Sequence, residues 1–319
     1  MHKVNIGVPN PQLMPVSKDI LDRINSLKEK HNAVIIAHNY QIPEVQDIAD
    51  LLGDSLALAT EAAKSDADAI IFCGVNFMAE TAKILSPGKV VVHPEPDARC
   101  PMADMCEVPF LKKMKEEHPD AIVVSYVNTT ADVKAESDVC CTSGNAVKVV
   151  KSLKENKIIF TPDRNLGMYI QRFVPEKEII LWPGFCAVHH NRITVAKLEA
   201  MKGQYPDAEV LVHPECVPEV IDYADHVFST HGMLVHAKQS SAKEFILGTE
   251  KEMAYRLSMD VPGKRFYAIG DAICQNMKRI TLDKVIKSLE TLTPRVEIPD
   301  DILKKAKVPL DRMVEIGRG

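Results

Sequence analysis

"AVIIAHNYQIPEVQDIADLLGDS" (residues 33–55) opens with an apolar run, turns at Pro43 into a short helical pattern and ends in an aspartate-containing turn. The same plan returns in "AIVVSYVNTTADVKAESDVCCTS" (121–143) and in "AEVLVHPECVPEVIDYADHVFST" (208–230). Matching residues keep nearly constant offsets. His38, Tyr126 and His213 differ by 88 and 87, Ser55, Ser143 and Thr230 by 88 and 87, and Cys100, Cys186 and Cys274 by 86 and 88. Agreement at three separate places marks an internal repeat, and a repeat changes what every motif means.

Each unit reads as a strand, a short helix, an aspartate-containing turn, a second helix, another apolar strand, a helix, and a third strand ending at a cysteine. Strands alternating with helices imply parallel pairing through crossover connections. The expected fold is therefore α/β, with three homologous small α/β/α domains, each on a parallel sheet, around a pseudo-threefold axis. The expected boundaries are 1–107 with an N-terminal helix, 108–193, 194–281, and a helical tail at 282–319 that packs on the repeats. Helical spacing at Ile20, Ile24 and Leu27 places the first helix before the first strand.

Composition narrows the class. A chain of 319 residues with 46% apolar content can bury several cores. Its net charge of −5 comes from interspersed acids and bases with no basic stripe, which argues against a nucleic-acid partner. Apolar runs such as "AVIIA" and "AIIFC" fall far short of the roughly 18 residues of a membrane span. The start, "MHKVNIGVPN", lacks the apolar core of a signal peptide, so a cytoplasmic protein with reduced cysteines is expected.

Eight cysteines then point to metal binding or catalysis rather than disulfides, although a lone cysteine is more often a small buried hydrophobe. Only Cys100, Cys186 and Cys274 follow the repeat; Cys73, Cys106, Cys140, Cys141 and Cys216 do not, and are expected to be structural. In α/β sheets the functional loops lie beyond the carboxyl ends of the strands. With those ends turned inward, the three thiolates meet on the axis and match one face of a cubane iron–sulfur cluster whose fourth iron lacks a protein ligand. Zinc held by the three cysteines and His189 is the second choice, because such sites are usually built from closely spaced knuckles.

Ser55, Ser143 and Thr230 each stand at an expected helix start, where a single one would be read as an N-cap. Together, three helix N-termini aimed at one axis suit a small anion with several carboxylate or phosphate groups. The first strands of the three units end in His38 and Tyr40, Tyr126 and Asn128, and His213 and Glu215, which equips one cavity for general acid–base chemistry.

The motifs "AHNYQIPEVQDIADLLGDS", "GVNFMAETAKIL", "CPMAD", "YVNTTADVKAESDVCCTSGNA", "PDRNLG", "VHPEC" and "CQNMK" resemble those of the quinolinate synthase A family, from about residue 35 to 278. The resemblance implies an enzyme of de novo NAD synthesis that condenses iminoaspartate with dihydroxyacetone phosphate, releasing phosphate and two waters to give quinolinate. It also implies L-aspartate oxidase or aspartate dehydrogenase as the upstream supplier. The family's [4Fe-4S] cluster would rest on Cys100, Cys186 and Cys274, with its open iron on substrate. Its substrate-contacting positions fall on His38, Ser55, Tyr126, Asn128, Ser143, His213, Glu215 and Thr230, and His189 is placed with them. Glu215 or His213 would serve as base, with Tyr40 and Tyr126 assisting proton transfer. His231 stands where the family pattern expects glycine, Ala187 where it expects proline, and a C-x-x-C-x-x-C run near Cys274 is missing. Other three-lobed [4Fe-4S] enzymes, namely the diphosphate reductase of isoprenoid synthesis and the diphthamide-forming enzymes, fit "AHNYQ" and "VHPEC" less well. A cluster-based sensing or binding protein is the alternative outside enzymes.

Overall fold

Each repeat folds into a four-stranded, all-parallel sheet, and the three sheets share one strand order. The computed structural model describes residues 16–317; the "MHKVNIGVPN" start lies outside the described residues. The first sheet contains β1 (Ala33–His38), β2 (Leu51–Gly53), β3 (Ala69–Cys73) and β4 (Val90–Val92), in the order β2-β1-β3-β4. The second has β5 (Ile122–Tyr126), β6 (Val139–Cys141), β7 (Lys157–Thr161) and β8 (Glu178–Leu181), ordered β6-β5-β7-β8. The third has β9 (Glu209–Val212), β10 (His226–Val227), β11 (Glu244–Gly248) and β12 (Arg265–Ala268), ordered β10-β9-β11-β12. Helices cover both faces of these strands, so the central ones are continuous apolar runs rather than alternating ones; β3 and β5 are buried along their whole length.

Two expectations need correction. Each repeat carries four strands, not three: the aspartate-containing turn runs straight into a short edge strand. Asp50, Asp138 and Asp225 have a shared task there, accepting the backbone N–H of Ile35, Val123 and Val210, each at 2.8 Å. Each carboxylate thus ties the edge strand to the strand beside it. The cysteines, moreover, do not end strands. They sit in the loops that follow β4, β8 and β12, where Cys100 and Cys186 precede the short helices Pro101–Asp104 and Ala187–Asn191.

A second repeated device closes the second helix of each unit. Lys177 Nζ donates to the carbonyls of Leu153 (2.9 Å) and Glu155 (2.8 Å), and Lys264 Nζ to those of Ala237 (2.6 Å) and Ser240 (2.5 Å). Lys89 does the same for Ala62 and Ser65. A cation at these orphaned carbonyls satisfies them and suits the negative end of the helix.

Outside the repeats, the helices Lys18–His31 and Leu282–Thr291 pack on each other and on the first sheet. The helix Asp300–Ile316 lies across the first two lobes, against Asn76–Leu85, Ala131–Ala135 and β6. Among the described residues no helix is long and apolar enough to cross a membrane.

Candidate active site

The strand order changes direction between the first and third strands of each sheet, and at such a switch point the loops beyond the strand ends diverge and leave a crevice. The three crevices face one another and merge into a cavity of about 300 Å³. The structure places all thirteen site residues named from the sequence on its wall: His38, Tyr40, Ser55 and Cys100 from the first lobe; Tyr126, Asn128, Ser143, Cys186 and His189 from the second; His213, Glu215, Thr230 and Cys274 from the third.

Burial separates the cysteines into the two groups drawn from the repeat. Cys73, Cys106, Cys140, Cys141 and Cys216 are buried in the lobes, while Cys100, Cys186 and Cys274 are partly exposed. The loops carrying the latter are held in the same way. Asn76 Oδ1 accepts the backbone N–H of Cys100 (3.2 Å), Asp163 Oδ2 that of Cys186 (3.1 Å) and Glu250 Oε1 that of Cys274 (3.1 Å). These three acceptors escaped the sequence reading, although they too are spaced 87 and 87 apart. In the second lobe Gly184 permits the close approach, since a Cβ there would stand 2.5 Å from the Pro162 carbonyl oxygen. Without it the "WPGFC" loop could not bring the Cys186 amide to Asp163.

Each sulfur also faces amide donors from the turn that follows it: Met102 and Ala103 for Cys100, His189 for Cys186, and Asn276 and Met277 for Cys274. Burial nevertheless dominates. It pushes the Cys100 thiol up to about 12, with Cys274 adding to the rise, and drives Cys186 well above its ordinary value, with help from Glu215 and the other two cysteines. Three neighbouring sulfurs that burial keeps neutral, yet toward which amides point, are suited to a polycation that draws off their protons. His189 and the three cysteines are not gathered around one point as a zinc set would be. His189 Nδ1 lies 2.6 Å from Glu215 Oε2 and 3.2 Å from Cys186 Sγ, and its Nε2 is 3.0 Å from Thr249 Oγ1, so both ring nitrogens are engaged. Cys186, His189 and Glu215 gather within 4.8 Å of one another, and Cys100 and Cys274 stand outside that group.

The helix-start hydroxyls differ from expectation in detail. Asp54 caps the first helix by accepting from Ala57 N (2.9 Å) and Ser229 caps the third by accepting from Gly232 N (3.2 Å), so Ser55 and Thr230 are the first helical residues. Ser143 lies in the turn before the helix Ala146–Ser152, whose N-cap is Asn145. Relieved of capping, all three residues line the cavity. Thr230 Oγ1 accepts from Asn39 Nδ2 (3.0 Å), which joins the first lobe to the third and leaves the hydroxyl proton to donate. Asn128 Oδ1 is buried and has no partner among the described residues, an orphan acceptor at the cavity wall.

His38 and His213 are oriented identically: Nδ1 accepts from the backbone N–H two residues on, that of Tyr40 (3.2 Å) or Glu215 (3.3 Å). That bond assigns the proton to Nε2 in the neutral ring. Burial keeps both rings neutral by lowering His38 to about 4 and His213 to about 3. His213 Nε2 is 3.1 Å from Ser143 Oγ, across the second and third lobes. For Glu215, burial opposes ionisation, but His189 beside it, which also hydrogen-bonds to it, together with a hydrogen bond from Tyr126, outweighs burial and holds the carboxyl low.

Thr249, fully buried and directly after β11, was also missed. Its hydroxyl lies 2.5 Å from Tyr40 OH and links that phenol to His189, and so to Glu215. The corresponding positions in the other repeats, Gly74 and Pro162, have no hydroxyl, so the repeat could not signal it. Arg192, exposed at the rim, adds a cation to the cavity wall.

Comparison with known proteins gives a consistent result. The family described as Quinolinate synthetase A protein matches residues 22–315. The chain is 51% identical over 304 residues to a quinolinate synthase of Pelobacter propionicus, covering 95% of this chain and all of that one. It is 53% identical over 296 residues to one from Methanoregula boonei, covering 92% and 97%. A quinolinate synthase of Sulfurihydrogenibium is 51% identical over 306 residues, with 94% and 99% covered.

Proposed function

Because the chain belongs to the Quinolinate synthetase A protein family, we propose that it forms quinolinate from iminoaspartate and dihydroxyacetone phosphate, releasing phosphate and two waters. The observation that carries this reading is the meeting of equivalent side chains from three lobes in one cavity of about 300 Å³, large enough for small reactants. Iminoaspartate must be supplied by an enzyme that oxidises aspartate, L-aspartate oxidase or aspartate dehydrogenase, working with it in the cytoplasm.

Cys100, Cys186 and Cys274 suit a [4Fe-4S] cluster: one thiol per lobe, each facing the cavity and met by amide donors. When bound, such a cluster offers an iron without a protein ligand, a Lewis acid that holds a carboxylate or hydroxyl oxygen and eases loss of water.

The remaining groups bind substrate and move protons. The neutral ring of His38 presents an Nε2–H donor, and Ser55, Thr230 and Ser143, the last oriented by His213, present hydroxyls, so carboxylates are held by oriented dipoles rather than by a buried cation. Asn128, with its orphan oxygen, suits the imine or hydroxyl hydrogens of the reactants. Arg192 at the rim suits the phosphate.

Proton transfer runs along a chain of hydrogen bonds. With Glu215 ionised, His189 donates Nδ1–H to it, Nε2 accepts from the Thr249 hydroxyl, and Thr249 accepts from the Tyr40 phenol. A proton taken from substrate by the Tyr40 oxygen is thereby matched by one delivered to the Glu215 carboxylate, and the reverse shift returns it. His213, the other base considered from the sequence, is committed as a donor to Ser143.

The test is anaerobic. The reconstituted chain should contain iron and sulfide, be brown, and form quinolinate, while Cys274→Ala loses colour and turnover together. A colourless Cys274→Ala variant with full turnover would overturn the reading.

A further inference from the structure

On the outer edge of the third lobe, three side chains gather that the reaction does not use. Glu209 begins β9, His226 begins β10, and His236 stands in the helix Thr230–Gln239. One ligand atom from each lies within 4.8 Å of the other two. His236 Nε2 is 2.7 Å from Glu209 Oε2, and the two imidazole centroids are 4.3 Å apart. Ser240 Oγ fixes the carboxylate from behind, donating to its oxygens at 3.1 and 3.2 Å.

The repeat supplies an independent comparison. At the offset of 87, Glu209, His226 and His236 correspond to Ile122, Val139 and Val149, which are buried core residues of the second lobe. There the helix Asp300–Ile316 covers β6 and touches the helix Ala146–Ser152. The third lobe has no such cover among the described residues, which explains why these positions are polar. It does not explain why all three are metal-binding types, nor why they converge from two strands and a helix.

We propose that Glu209, His226 and His236 form a binding site for a borderline divalent transition ion of the zinc class. Two imidazole nitrogens and a carboxylate oxygen are a three-ligand set that leaves a position for water, and imidazole discriminates against magnesium and calcium. The ligands stand on strands and a helix, so little ordering is needed on binding. The ion replaces the proton shared by His236 and Glu209 and clamps β10 and the end of the helix onto β9.

The test uses the full-length, cluster-loaded chain under anaerobic conditions, titrated with Zn²⁺ by calorimetry and followed by thermal melting. His226→Val and His236→Val place in this lobe the residue type that the second lobe carries at the same positions. The parent should bind one zinc at this site and melt at a higher temperature when loaded. Each variant should bind it about tenfold more weakly or worse, since loss even of a ligand's outer partner costs that much. If His236→Val lowers the melting temperature without zinc, His226→Val, which leaves the Glu209–His236 bond intact, decides. Identical isotherms for parent and variants, or zinc uptake that tracks iron release, would overturn the site. The readout is zinc binding rather than turnover, so it stands apart from the proposed reaction.

Discussion

At the scale of single residues, Thr249 makes the most specific demand. Its hydroxyl is the link between Tyr40 and His189; Thr249 and His189 are buried and Tyr40 is half-buried. Thr249→Val keeps the shape and removes the link, leaving a phenol and an imidazole nitrogen each short of a partner, at a cost of about 1–3 kcal/mol in stability. If the chain carries protons, turnover falls by about 10²-fold or more, in line with the loss of a general acid–base step, with KM little changed. Thr249→Ser restores the hydroxyl and most of the rate. Steady-state kinetics of both variants, with a solvent isotope effect on kcat, check this; a valine variant at the parent rate sinks the relay. Thr249 also shows why the sequence disclosed the wall of the cavity more readily than its wiring. The wall residues recur at a fixed offset, as His38, Tyr126 and His213 do, whereas a residue serving two unlike partners has no reason to recur.

Among elements, the cysteine loops show what a repeat preserves. Asn76, Asp163 and Glu250 are three different residues with one function, an oxygen that accepts the cysteine's N–H, so letter-by-letter comparison passed over them while the offset of 87 holds. The short strands β2, β6 and β10 were equally hidden, because two or three residues cannot display alternation. The helix starts were displaced by one position where two capping residues stand in a row, as in Asp54–Ser55 and Ser229–Thr230; either could cap, and packing into the cavity decides. Glu250 tests the loops directly. It accepts from the Cys274 amide, from Lys278 Nζ (2.9 Å) and from Glu252 N (2.9 Å), so Glu250→Ala frees the loop while Glu250→Gln retains an acceptor oxygen. Iron loss to a chelator should quicken about tenfold in the alanine variant and only slightly in the glutamine one, as for other outer partners of metal ligands. Equal rates in the two would show that the loop holds itself.

For the whole molecule, the pseudo-threefold arrangement was readable because equal offsets demand equivalent surroundings, but the helix Asp300–Ile316 breaks that equivalence and belongs to no repeat. It covers the first and second lobes, whose contact also sets a buried lysine near a half-buried glutamate. Lys134 is fully buried; its ammonium donates to the Thr129 carbonyl, lies 5.5 Å from the Phe77 ring centroid, and is balanced by Glu80 of the first lobe. Burial lowers the lysine and raises the glutamate, and each charge partly offsets the shift of the other. Glu80 Oε2 also accepts the N–H of Ala131 (2.9 Å), so one carboxylate joins the two lobes twice. Removing it alone leaves the ammonium and the Ala131 N–H without their partner, and Glu80→Ala should lower stability by about 1–3 kcal/mol. Replacing both, as Glu80→Leu with Lys134→Met, exchanges the pair for apolar groups of similar volume and should recover most of that loss, because the cost lies in the unpaired charge rather than in the absent attraction. The cavity adds a second readout. Cys100 and Cys186 come from these two lobes, so a loosened contact moves the sulfurs apart, and iron content after reconstitution should fall in the single variant and return in the double. Urea denaturation together with iron analysis separates the cases. A Glu80→Ala chain that keeps both its midpoint and its iron would show that the remaining contact between the lobes suffices to hold the sulfurs in place.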